Sequence, residues 1–267
     1  MYGAILGDVI GSKYEWNNIK TKEFELFDSS LTPTDDSVMT IAVAKSLIES
    51  NKDPKVLKEV LVDNMVEIGR QYPECGFGGK FYRWIMTDNH EPYGSFGNGA
   101  AMRISPVGYV SDSIEEAKEL SKIVTEVSHN HPESYRAAEA VSIAIYMALH
   151  NSSKEEIETF INRNYYNIPF SLDEIRDSYK FDVTCQGSVP QAFESFFEST
   201  SFEDAIRNAI SIGGDSDTIA AITGGIAEAY YGIPDDIANK GMEYLDNTQK
   251  DIVKRFYKKF NINKKRP

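Results

Sequence analysis

Apolar residues recur along most of the chain with the three- and four-residue spacing of a helix face. Val38, Ile41, Ala42 and Leu47–Ile48 form one such stripe, and Val56, Leu57, Val60, Leu61 and Met65 a second. Ile114, Ala117, Leu120, Val124 and Val127 make a third; Tyr135, Ala138, Val141, Ile145 and Ala148–Leu149 make the longest. Each pattern predicts an amphipathic helix with one side on a core. Another helix is predicted over Phe202, Ala205, Ile206, Ala209 and Ile210, opened by Ser201 and Asp204 in a capping-box arrangement. Sustained period-two alternation is missing, and only Phe24 to Phe27 reads as briefly extended. The fold class expected is all-α, one compact domain of about ten helices across residues 1–267. Three stretches read as irregular: Tyr72 to Gly79, Asp88 to Gly99, and Tyr166 to Pro190, the last with room for a short helix.

Composition narrows this further. The 267 residues, 41% apolar, suffice for one large core. The longest apolar runs, near Ile41–Ala44 and Val141–Met147, are too short to span a bilayer. No basic residue precedes Lys13 and Asp8 interrupts the first apolar run, so no signal peptide is expected and the cytoplasm is the default location. Cys75 and Cys185 are too few for a disulfide framework or a cysteine zinc site. The net charge is −13, yet Lys250 onward carries a local +7, leaving −20 on the first 249 residues. Such a body repels phosphate backbones and argues against nucleic acid as a partner. The basic end, about 262–267, reads as a frayed tail after a last helix.

Four segments carry chemistry that packing alone does not require. Gly3, Gly7 and Gly11 share one helix face, which a close helix crossing explains by itself; Asp8 and Glu15, seven residues apart, remain unexplained by it. Thr34-Asp35-Asp36-Ser37 precedes a helix beginning near Val38, and alone it is a capping segment. Gly213-Gly214-Asp215-Ser216-Asp217-Thr218 opens another helix. Asp215 and Asp217 there converge only in a turn, which the glycines supply, and the spacing is not that of an EF-hand. Taken together, two helix starts each offering Thr and two Asp form a hard-oxygen set suited to two Mg²⁺ or Mn²⁺ ions. Ser95-Phe96-Gly97-Asn98-Gly99 predicts a flexible turn whose free amides suit an anion such as a pyrophosphate, without being a Walker loop. Ser128-His129-Asn130-His131 adds polar contacts before the longest helix.

In this order, the motifs resemble the ADP-ribosylglycohydrolase family, whose best-known branch removes ADP-ribose from an arginine of dinitrogenase reductase. The likeness runs through Gly7-Asp8-x-x-Gly11 with Glu15, Thr34-Asp35-Asp36, Gly97-Asn98-Gly99 with Met102-Arg103, the His129 segment, and Gly214-Asp215-x-Asp217-Thr218. It implies an orthogonal all-α bundle with a dinuclear Mg²⁺ or Mn²⁺ centre. Thr34, Asp35, Asp36, Asp215, Asp217 and Thr218 would be metal ligands, and Glu15 a further ligand or a mobile acid. Phe96, Gly97, Asn98, Gly99 and His129 would hold ADP-ribose, while Arg103 and Asp8 would support the site residues from behind or be structural. The implied reaction is hydrolysis at the anomeric carbon of the distal ribose, a carboxylate (Asp36, Asp35 or Glu15) managing the proton. The substrate would be an ADP-ribosylated protein or small molecule, with arginine as the favoured acceptor, and a monomer completes the site. In the dinitrogenase-reductase branch an acid is expected near Ser95, so O-linked ADP-ribose (serine or O-acetyl) stands as an alternative. An inactive ADP-ribose-binding or crystallin-like structural relative is another.

Overall fold

The computed structural model of the protein describes residues 1–262, so the basic tail expected at 262–267 lies outside the described residues apart from Ile262. No helix among these is long and apolar enough to cross a membrane. In chain order the helices are α1 (Tyr2–Gly11), α2 (Asp35–Ser50), α3 (Pro54–Gln71), α4 (Gly79–Met86), α5 (Gly99–Met102), α6 (Ser105–Val110), α7 (Ile114–Glu126) and α8 (Pro132–Leu149). They continue as α9 (Lys154–Asn164), α10 (Leu172–Ile175), α11 (Cys185–Phe197), α12 (Phe202–Ser211), α13 (Ser216–Tyr231), α14 (Asp235–Met242) and α15 (Asn247–Lys259). The all-α expectation holds: the pairing found among the described residues is one isolated antiparallel bridge, Gly97 with Thr184. Phe24 to Phe27 forms no strand.

The layering follows from the patterns. Every residue of α1 is buried, as is every residue of α13 up to Ala229, the state expected of helices apolar all round. These two form the central pair, with α2 and α12 against α1 and with α8, α11 and α12 against α13. Amphipathic helices such as α3, α7 and α15 cover the outside. The glycine stripe is what lets α1 and α13 meet. A Cβ at Gly7 would overlap the Ala220 carbonyl, and one at Gly3 the Gly224 carbonyl. Hence the N-terminal half of α13, with its acids, lies directly on the C-terminal half of α1.

Three local expectations need correction. Helix α2 begins at Asp35 rather than near Val38, because Thr34 caps it and Asp35 and Asp36 already occupy its first turn. The irregular stretch from Tyr166 ends at Thr184: α10 lies within it, and α11 takes in Cys185 to Pro190 despite the i→i−4 bond that Pro190 forfeits. Finally, the Ser201 side chain accepts the Asp204 N–H at 3.1 Å, but Asp204 reaches back to the Thr200 N–H (2.9 Å). The reciprocal half of a capping box is therefore displaced by one residue.

Candidate active site

Helix α1 ends at Gly11 and a single 3₁₀ turn, Ser12–Tyr14, carries the chain to Glu15. Asp8, fully buried on α1, is the anchor for the start of α2. It accepts from Thr34 N (2.9 Å), Thr34 Oγ1 (2.6 Å), Ser37 N (3.0 Å) and the Ser37 hydroxyl. Both its oxygens are thus in use. Burial raises its pKa to about 6 against the lowering effect of these donors. The backbone N–H of Asp35 donates to the Cys75 carbonyl at 2.9 Å, tying the loop before α4 to the same place.

The second acid group arrives on the Gly213–Gly214 turn, whose φ values of 66° and 76° favour glycine. It is fastened from the Glu15 side. Asn18 accepts the Gly214 N–H at 2.8 Å and donates to the Gly214 carbonyl at 2.9 Å, and Lys20 donates to the carbonyls of Ile212 and Tyr179. Beyond the turn, Asp215 accepts from the Asn98 amide at 2.6 Å, and Thr218 Oγ1 donates to Asp36 Oδ2 at 3.1 Å.

The two helix starts therefore converge. Carboxylate oxygens of Asp8, Asp36 and Asp217 lie within 4.8 Å of one another, as do those of Glu15, Asp215 and Asp217. Asp217 belongs to both sets. Asp36 Oδ1 and Asp217 Oδ1 are buried with no hydrogen-bond partner. Burial first, then neighbouring carboxylates, pushes the pKa values of Asp36 and Asp217 well up. The same causes raise Asp35 to about 8 and Glu15 to about 7. Burial also raises Asp215, partly offset by the Asn98 bond. Clustered acids with orphaned buried oxygens are what a divalent-cation site presents, and the donors are all hard oxygens.

Glu15, Asp35, Asp36, Asp215 and Asp217, with Thr218 but without Asp8 or Thr34, line one cavity of about 350 Å³, shared with Gly97, Asn98, Gly99, Ser95, Tyr93, Phe81, Arg103 and His129. The Gly97 turn is built differently from expectation. Its amides are partly spent, Gly97 N–H on Ser95 Oγ (3.2 Å) and Asn98 N–H on the Val183 carbonyl (2.8 Å). The Asn98 side-chain amide serves Asp215 and Ser188, so Asn98 braces the acid cluster. Arg103 donates to Ser128 Oγ at 2.8 Å, and that hydroxyl in turn meets His129 Nδ1 at 2.8 Å. With Ser128 giving its proton to Nδ1, the imidazole carries its own on Nε2, which faces Gly99. Burial and the Arg103 charge hold the His129 pKa well below its ordinary value, keeping the ring neutral. Phe96 is placed apart: it is exposed, packs on His131 (5.4 Å between centroids), and does not line the cavity.

Several lining residues carry no sequence signal. Trp16, Tyr93, Phe181 and Val183 belong to irregular segments with no periodicity, and Phe81 sits on the short helix α4.

Comparison with known proteins places the chain among relatives. The sequence profile of the ADP-ribosylglycohydrolase family matches residues 1–265. The protein named ADP-ribosylhydrolase ARH3 of Gallus gallus is 24% identical over 309 residues, covering 86% of this chain and 83% of its own length. ADP-ribosylarginine hydrolase Tri1 of Pseudomonas putida is 26% identical over 152 residues, covering 54% of this chain and 41% of its own. A solved structure titled ADP-ribosylglycohydrolase-related protein complex superposes with a TM-score of 0.72 at 22% identity, covering 96% of this chain and 95% of the other.

Proposed function

The chain belongs to the ADP-ribosylglycohydrolase family, and from that premise we propose that it removes ADP-ribose from protein arginine, acting as a monomer at a centre of two Mg²⁺ or Mn²⁺ ions. The observation carrying this reading is the pair of orphaned, buried oxygens, Asp36 Oδ1 and Asp217 Oδ1, where two acid-bearing helix starts meet. Asp35, Asp36, Asp215, Asp217 and Glu15 would hold the ions. Thr218 fits beside them, since its hydroxyl donates its proton to Asp36 and keeps lone pairs for a cation. The Thr34 hydroxyl, donating to Asp8 and accepting the Asp36 N–H, would have one lone pair left for it.

When bound, the ions supply a fixed dock for the ribose hydroxyls and a lowered pKa for water. The chain's own residues do the rest. Asp35 and Glu15 are the most exposed of the site acids, so they are placed to exchange a proton with water, while Asp36 and Asp217 are buried at the cavity wall. The Gly97–Gly99 turn and the His129 Nε2–H line the part of the cavity that would hold the remainder of ADP-ribose. Water would attack the anomeric carbon, and the guanidine would leave with a proton.

A second reading, hydrolysis of O-linked ADP-ribose, is favoured by Ser95. Its hydroxyl lines the cavity and accepts the Gly97 N–H, and it cannot act as an acid at neutral pH. The test is release of free ADP-ribose from arginine-linked and serine-linked substrates with Mg²⁺, Mn²⁺ or EDTA. Cation-dependent release from arginine is expected. Release from serine alone would transfer the assignment to the second reading, and release undiminished by EDTA would remove the metal from it.

A further inference from the structure

Large exposed apolar side chains are few among the described residues, and half of them share one place. Trp16, Phe181 and Val183, 76%, 41% and 51% exposed, all line the candidate active-site cavity. The indole of Trp16 lies on the Phe181 ring, centroids 5.1 Å and planes 25° apart. It follows Glu15 in the chain, and both side chains line the same cavity. The strap bearing Trp16 is held at Asn18 and Lys20 as described above, so the ring is presented from a fixed backbone. An indole this exposed contributes little to the core, and the wall it forms borders the acid set of Glu15, Asp215 and Asp217.

We propose that Trp16 and Phe181 form the acceptor-side wall of the active site, where the planar guanidinium of the arginine stacks against the indole at the edge of the acid set. This rests on the arginine-linked reading above and extends it to residues that choose the acceptor. A guanidinium is flat and cationic, and it suits an aromatic face beside a carboxylate; a serine hydroxyl offers neither face nor charge. Trp16 borders the reacting end because it lines the cavity beside Glu15, which belongs to the acid cluster.

Three variants test this: Trp16→Ala, Trp16→Phe and Phe181→Ala, each checked for an unchanged melting curve. The readouts are KM and kcat on arginine-linked and serine-linked substrates, with calorimetric affinity for free ADP-ribose. Trp16→Ala is expected to raise KM for the arginine-linked substrate about tenfold. Trp16→Phe, which keeps a ring and loses the N–H, should recover most of it, and Phe181→Ala should fall between. ADP-ribose affinity should shift less than about twofold in all three. An unchanged KM in Trp16→Ala, with arginine-linked substrate still cleaved, overturns this inference alone. Equal losses of kcat in Trp16→Ala and Trp16→Phe would make the indole N–H a hold on Glu15 instead. A matching loss of ADP-ribose affinity would put the adenine on the wall, and a wild type cleaving only serine linkages would also overturn the proposal. A wild type cleaving neither linkage would sink the hydrolase reading first, and this inference with it.

Discussion

At the start of α2 the Thr34 hydroxyl is engaged on both sides, donating to Asp8 at 2.6 Å and accepting the Asp36 N–H at 3.4 Å; at the start of α13 the N-cap Asp215 makes no capping bond and accepts from Asn98. The same residue types stand at both places. The α2 start is a finished cap, closed by a buried acid from α1, and it spares one oxygen of Asp36. The α13 start leaves its cap unmade and turns Asp215 toward the cavity. A capping composition thus describes two outcomes, and what separates them is where the acceptor finds its donor. The first-turn acids Asp36 and Asp217 are the common part, each with one oxygen lacking a partner.

The largest effect expected is at those two. Asp36→Asn and Asp217→Asn should each lower ADP-ribose release more than about a hundredfold, measured at saturating Mg²⁺. Asp8→Ala should act through stability: it strands four donors at the α2 start and should cost about 3 kcal/mol in urea unfolding. If instead Asp8→Ala kept its stability and lost only activity, Asp8 would be a ligand and the contrast between the two starts would fail. Asn98→Ala should reduce release by about tenfold to a hundredfold by freeing Asp215, with little change in melting temperature.

A smaller effect concerns pH. Glu15 and Asp35 titrate near 7 and 8 in the folded, metal-free protein, and near 4 when unfolded. The folded state therefore binds more protons across that window, so metal-free protein should lose stability as pH rises from about 4 to 8. Thermal melts in EDTA read this directly, and a melting temperature that rises over the same range would contradict it. Added Mg²⁺ should stabilise the protein by about 2.7 kcal/mol for each bound ion at a hundredfold excess over Kd.

Much of this was legible before any coordinates. The stripes predicted α2, α3, α7, α8 and α12, the glycine spacing predicted a close crossing at α1 without naming α13 as its partner, and Thr34 to Asp36 and Asp215 to Thr218 stood out as acids in helix-start positions. What stayed hidden was the set of long-range partners. Asn18 and Gly214 are 196 residues apart, and Asp8 meets Thr34 across 26. Trp16 and Phe181 meet through loops. Helix periodicity encodes which face is buried, but a single polar or aromatic residue in a loop carries no period from which its partner follows. The free amides expected at Gly97 and Asn98 failed for the same reason, since their acceptors sit on Ser95 and Val183.

The central claim is that two helix starts share one cation-dependent site through Asp217, the residue common to both acid sets. Counting bound Mn²⁺ by electron paramagnetic resonance, in wild type beside Asp217→Asn, tests it most directly. The account predicts two ions per chain in the wild type and loss of both in the variant at the same free Mn²⁺. A wild type that binds none, or an Asp217→Asn protein that still binds two, would contradict it.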